Sequence, residues 1–154
     1  MKIRTIALTV VVMCFVGLSF AAGNPNMGTW KLNEAKSKVA PGAAKNSTVV
    51  YEAAGDNIKC TIDGTDSKGK PTHIVWTGKF DGKDYALTGD ASAEMRSYKT
   101  IDDRTTEGIT KKDGKVISTT RIVVAADGKS RTVTSDGMDS AGKKTHSETV
   151  YDKQ

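Results

Sequence analysis

Cysteine, histidine and paired carboxylates are where catalysis or metal binding would have to start, and this chain spaces them poorly for either. Asp63-Gly64-Thr65-Asp66-Ser67-Lys68-Gly69 has the oxygen-rich look of a calcium loop. It lacks the alternating carboxylates and the closing Glu that such a loop needs. His73 and His146 each follow an equivalent turn, and each would need further clustered ligands to hold a metal. As strand-start residues they read as solvated rim positions. Asp102-Asp103-Arg104 contains a carboxylate pair of the kind used in acid–base work. Nothing around it would raise a pKa, so it reads as a turn. Cys60 alternates with Ile58 and Ile62 and therefore reads as a small core hydrophobe rather than a nucleophile. No Gly-x-Ser-x-Gly elbow or phosphate loop occurs. The sequence thus predicts no catalytic residue, no metal and no cofactor, and the chain reads as a binder rather than an enzyme.

Binding chemistry is better represented. Arg96, Arg121 and Arg131 are the basic residues best placed on strands to meet a ligand carboxylate. The apolar inward candidates are Val49, Tyr51, Ile58, Cys60, Ile62, Ile74, Trp76, Phe80, Met95, Ile122 and Val124. From these groups Tyr51, Ile62, Trp76, Arg96, Tyr98, Arg121 and Arg131 are the expected ligand-lining residues. The bland alternative is that the apolar ones fill a core and the arginines face solvent. Bulky residues are scarce, with 2 Trp and 3 Phe, two of the latter within the first 22 residues. An interior built from so few large side chains is expected to keep some room.

The elements that would position these residues are strands. The chain has 154 residues, one domain's worth. Residues 1–22 read as a secretory signal: Lys2 and Arg4, an uncharged apolar run from Ile6 to Phe20, and small residues at Ser19 and Ala21. The run is shorter than the roughly 18–20 residues of a membrane span, and Cys14 lies inside it with Met13 before it, which does not suit a lipoprotein site. The expected location is periplasmic or secreted, with residues 23–154 forming the mature domain. Removing the signal lowers Lys plus Arg from 23 to 21 against an unchanged 18 Asp plus Glu, so the charge falls from +5 to +3. Only Cys60 then survives, and a lone cysteine forms no internal disulfide.

From Thr29 onward the pattern has a period of two, broken by turn signals such as Gly55-Asp56, Asp81-Gly82, Asp113-Gly114 and Asp127-Gly128. This predicts ten strands at 27–33, 47–54, 57–65, 71–79, 84–88, 94–101, 105–112, 115–125, 129–137 and 144–152. Glu34-Ala35-Lys36-Ser37-Lys38 is expected to make a turn of helix before Pro41 stops it. A meander of ten antiparallel strands avoids bare edges most simply by closing into an up-and-down barrel, so the predicted class is all-β. An internal repeat supports this. Residues 63–73 recur as 136–146 with eight of eleven positions identical, and at the same offset Val49-Val50-Tyr51 aligns with Ile122-Val123-Val124. Shared turn chemistry alone is the alternative account of the repeat.

Met27-Gly28-Thr29-Trp30-Lys31-Leu32 opens the mature domain. Gly28-x-Trp30 on a first strand resembles the calycin superfamily, which holds the lipocalins and the fatty-acid-binding proteins. The stretch 24–154 as a whole is similar to small secreted bacterial lipocalin-like proteins. The resemblance implies a barrel whose closed end is plugged by Trp30, with Gly28 letting another backbone pass close. It also implies a basic side chain near the chain end stacked on Trp30. The last strand has no Arg, so Lys153 or Arg131 would have to serve. Fatty-acid-binding proteins hold a carboxylate with an Arg-x-Tyr pair on their last strands, whereas the Arg-x-Tyr here is Arg96-Ser97-Tyr98 in mid-chain. Residues 34–46 are short for the helical lid of that family, and the helix that follows a lipocalin barrel has no counterpart.

Two functions remain. One is a barrel that takes a small apolar or amphipathic ligand. The other is a solid-core barrel that docks on an envelope or secreted protein through the hairpin tips 63–71 and 136–144. Nucleic acid is not an expected partner, because the lysines alternate with Asp and Gly in turns instead of clustering among exposed aromatics.

Overall fold

The computed structural model describes residues 23–39, 43–138 and 142–154. Residues 1–22, expected to be a signal, Pro41, and residues 139–141 of the expected hairpin tip lie outside the described residues. Ten strands follow one another: β1 (Gly28–Lys38), β2 (Lys45–Ala54), β3 (Asn57–Thr65), β4 (Pro71–Gly78), β5 (Tyr85–Thr88), β6 (Met95–Thr100), β7 (Thr105–Lys112), β8 (Lys115–Val124), β9 (Ser130–Met138) and β10 (Lys144–Lys153). Each pairs antiparallel with the next, and β1 pairs with β10 to close the barrel. Alternation then dictates what faces inward. Val49 and Tyr51 on β2, Cys60 and Ile62 on β3, Ile74 and Trp76 on β4, and Ile122 and Val124 on β8 are all buried. Among the described residues no helix is long and apolar enough to cross a membrane.

Turn chemistry sets the register. Lys112 pairs with Lys115 across Asp113 and Gly114, which both take positive φ, 49° and 70°. That is the two-residue turn whose twist matches the strands, and glycine adopts it at little cost. Elsewhere a turn carboxylate binds the backbone. Asp66 accepts from the N–H of Lys68 and Lys70, and Asp102 from those of Arg104 and Thr105. These bonds stabilise the charged form and hold both carboxyls below the ordinary aspartate range.

Three expectations are corrected. The helical turn at 34–38 is a strand with an interrupted ladder, passing from Asn33↔Val150 directly to Lys38↔Glu148. Side chains supply the missing rungs: Ser37 Oγ donates to the Asn33 carbonyl (2.7 Å) and accepts from the Val150 N–H (2.9 Å). Asn33 Oδ1 accepts from the Lys36 N–H. The polar segment thus meets its hydrogen-bonding needs as a bulge without leaving the sheet. The repeat is also displaced. Asp63↔His73 and Asp136↔His146 are equivalent rungs at the 73-residue offset. Ile62 pairs with Val49, however, while Ser135 pairs with Thr120 rather than Ile122. Five residues separate β8 from β9 against two between β2 and β3, and β8 is slid along its partner by two. Finally, Met95 sits on the face of its strand opposite to Arg96 and Tyr98, so alternation turns it away from the interior.

The core lies toward one end. Trp76 packs edge-on against Phe80, Tyr85 and Tyr98, with centroids 5.9, 5.9 and 4.9 Å away, and Phe80 stacks on Tyr98 at 5.2 Å. Beside this cluster Trp30 and Asn26 are fully buried and close the barrel's end. The Trp30 indole donates to the Asn26 carbonyl (2.7 Å), and the Asn26 amide donates to Thr106 Oγ1 (3.1 Å).

Candidate functional site

Above this plug the barrel encloses a cavity of about 320 Å³. Its walls differ. On the β2–β3 side Val49, Tyr51 and Ile62 present apolar surface. On the β7–β9 side Thr110, Ser118, Thr120 and Ser135 present hydroxyls. Two guanidinium groups, Arg96 and Arg131, and one carboxylate, Asp90, also line it. Among the described residues neither arginine forms an ion pair with a carboxylate.

Arg96 is held from both ends. Its Nε donates to Thr110 Oγ1 (3.1 Å), and its backbone carbonyl accepts the Trp76 indole N–H (2.9 Å). Burial works against its charge; interactions with Tyr98, Cys60 and Tyr51 raise its pKa, an effect of the alkaline range that does not offset burial at pH 7. Tyr98 stands two residues on, the same face of β6 by alternation. Arg131 lies deeper and is 2% exposed. It is sandwiched among the rings of Trp30, Tyr51 and Tyr151 at 4.7, 5.2 and 5.1 Å. Its Nη1 donates to Asn26 Oδ1 (3.3 Å), while its buried Nε has no partner among the described residues. Lys153 Nζ also stands over Trp30, at 5.1 Å. Both basic residues expected to stack on Trp30 therefore do so. Gly28, at φ 102°, leaves room for this, since a Cβ there would come within 3.2 Å of Lys153 Cε. What passes close to Gly28 is thus a side chain, not the expected backbone.

Of the expected ligand-lining residues, Tyr51, Ile62, Arg96, Tyr98 and Arg131 come together around the cavity. Two do not. Trp76 is fully buried in the aromatic cluster and touches the site indirectly, through the Arg96 carbonyl and the Tyr98 ring. Arg121 points outward to Glu107 (2.8 Å), because it alternates with the inward Thr120 and Ile122. The hydroxyl wall went unrecognised in the sequence. It could have been found by extending the inward parity of Ile122 back to Thr120 and Ser118.

Other reactive groups lie apart. His73 and His146 bond Asp63 and Asp136 through Nδ1 at 2.6 and 2.7 Å on exposed rungs. Among the described residues no three His, Cys, Asp or Glu side chains are gathered as metal ligands would be. Cys60 is fully buried, and burial pushes its thiol up to about 11. The thiolate is the reactive form, so native protein at pH 8 should resist iodoacetamide and react only once unfolded. Mass spectrometry with and without denaturant checks this, and rapid native labelling would show that the barrel opens at β3. No family model and no curated protein matches the chain.

Proposed function

We propose that this is a secreted or periplasmic, lipocalin-like protein that binds a small amphipathic acid in its lumen, without a catalytic step. The observation that carries this reading is the pair of guanidiniums facing one cavity, neither of them ion-paired among the described residues, although Asp90 also lines the wall. Charge in such a site is costly unless it is paired. A ligand acid group would supply charge-assisted hydrogen bonds to Arg96, with the Tyr98 hydroxyl close by. The apolar wall of Val49 and Ile62 would take the ligand's hydrocarbon part, and the hydroxyl wall its polar substituents. Arg131 serves the plug as well, through Trp30 and Asn26. A cavity of about 320 Å³ falls in the range of small-molecule sites. It weighs against a barrel packed solid and used only for docking. Gly28 and Trp30 at the head of a ten-strand barrel support the calycin-like assignment, and the segment 1–22 supports export.

Native mass spectrometry of protein purified from its own source, together with titration by anilinonaphthalene sulfonate, tests the reading. The expected result is one bound acid per chain and saturable, stoichiometric fluorescence. No co-purified small molecule, and no saturable binding of this probe or of a panel of carboxylic acids, would overturn it.

A further inference from the structure

A second cavity, of about 390 Å³, lies at the barrel's rim beside the tips of β8 and β9. Val116, Ile117 and Met138 form its apolar surface, with Lys144 and Asp136 at its edges. It is continuous with the lumen, for Ile117, Ser118, Gly137, Met138 and Thr145 line both. Two irregularities open this passage. Among the described residues the β8–β9 ladder ends at Ser118↔Gly137, and Ile117 and Met138 beyond it form no rung. The β7–β8 ladder steps from Thr110↔Ser118 to Lys111↔Val116, which leaves Ile117 as an extra residue. A bulge of this kind re-aims a side chain, and here Ile117 and Ser118 both reach the lumen.

The polarity runs opposite to that of a greasy barrel with a polar mouth. Charge and hydroxyls are inside, and exposed apolar surface is outside. Val116 is 47% and Met138 56% exposed. We infer that this groove is a subsite for the hydrocarbon tail of the lumen's ligand: the acid group goes in toward Arg96, and the tail leaves through the β8–β9 seam over Val116 and Met138. The ligand class is then a single-tailed acid longer than the lumen. This rests on the lumen being an acid-binding site. Continuity of the two cavities is what assigns the groove to that ligand's tail.

Displacement of anilinonaphthalene sulfonate by hexanoate, decanoate and myristate tests it. Each methylene sheltered from water tightens binding by about fourfold. In the wild type the gain should continue from decanoate to myristate. In Val116→Glu hexanoate should bind as in the wild type, while the gain from decanoate to myristate should fall at least tenfold. Met138→Glu should lose the same long-chain gain. Both positions are exposed, so folding is not at stake. Wild-type gains retained in both variants would overturn the tail subsite and leave the lumen reading standing. Failure of every acid to displace the probe, or of the probe to bind, would overturn both.

Discussion

Replacing Trp30 by alanine should lower the unfolding free energy by about 3–5 kcal/mol, measured by urea denaturation. Trp30 is fully buried, and three separate structures lean on it. Its ring carries the Arg131 guanidinium at 4.7 Å and Lys153 Nζ at 5.1 Å. Its N–H satisfies the carbonyl of Asn26, itself fully buried. Alanine would leave a large void at the barrel's closed end and an unsatisfied carbonyl. It would also remove one of the rings that make a buried arginine tolerable. Trp30→Phe separates these effects. It retains most of the ring and loses the N–H, so about 1–3 kcal/mol should be lost, the cost of one stranded buried acceptor. A loss under about 1 kcal/mol for Trp30→Ala would mean that the plug does not hold the barrel closed.

Much of the fold was legible because turn chemistry and two-residue alternation are local properties. Asp113-Gly114 announces its hairpin without help from the rest of the chain, and the strand ends fall within two residues of those expected except in β1, which runs on to Lys38. The site was less legible, and the reason is parity. Alternation says which residues share a face, but an arginine's length invites placing it inward wherever it falls. Arg121 lies between Thr120 and Ile122, so its outward position was readable. Arg96 and Met95 could not both face in, and the closed barrel settles it, with Arg96 and not Met95 lining the cavity. The hydroxyl wall was missed for another reason. Threonine and serine suit exposed strand positions equally well, so Thr110 and Ser135 declare themselves only through their place in the closed barrel. The bulge at Ile117 and the slide of β8 depend on ladder pairing between strands, which no single strand's pattern contains.

Arg96→Met should move stability and binding in opposite directions. In the empty barrel the Arg96 guanidinium is held by a hydrogen bond to Thr110, and no carboxylate among the described residues lies within ion-pair distance of it. Methionine has a similar reach, fits irregular apolar space and carries no charge to desolvate. The variant should therefore be more stable by about 1 kcal/mol, a rise in Tm of about 2–4 °C for a domain of this size. Its affinity for a carboxylic acid should fall about 10–100-fold, the worth of a charge-assisted hydrogen bond lost from a sheltered site. Thermal melts with and without acid read both effects together. Saturating acid at about a hundred times its Kd should stabilise the wild type by about 2.7 kcal/mol and the variant far less. The contrast with Arg131 makes the result specific. Arg131 is wedged among Trp30, Tyr51 and Tyr151 and bonded to Asn26, so Arg131→Met should destabilise the empty protein. A residue kept at the expense of stability is the mark of a binding group, because only the ligand repays its burial. If Arg96→Met instead destabilises the barrel and leaves acid affinity unchanged, Arg96 is part of the scaffold and the acid site lies elsewhere.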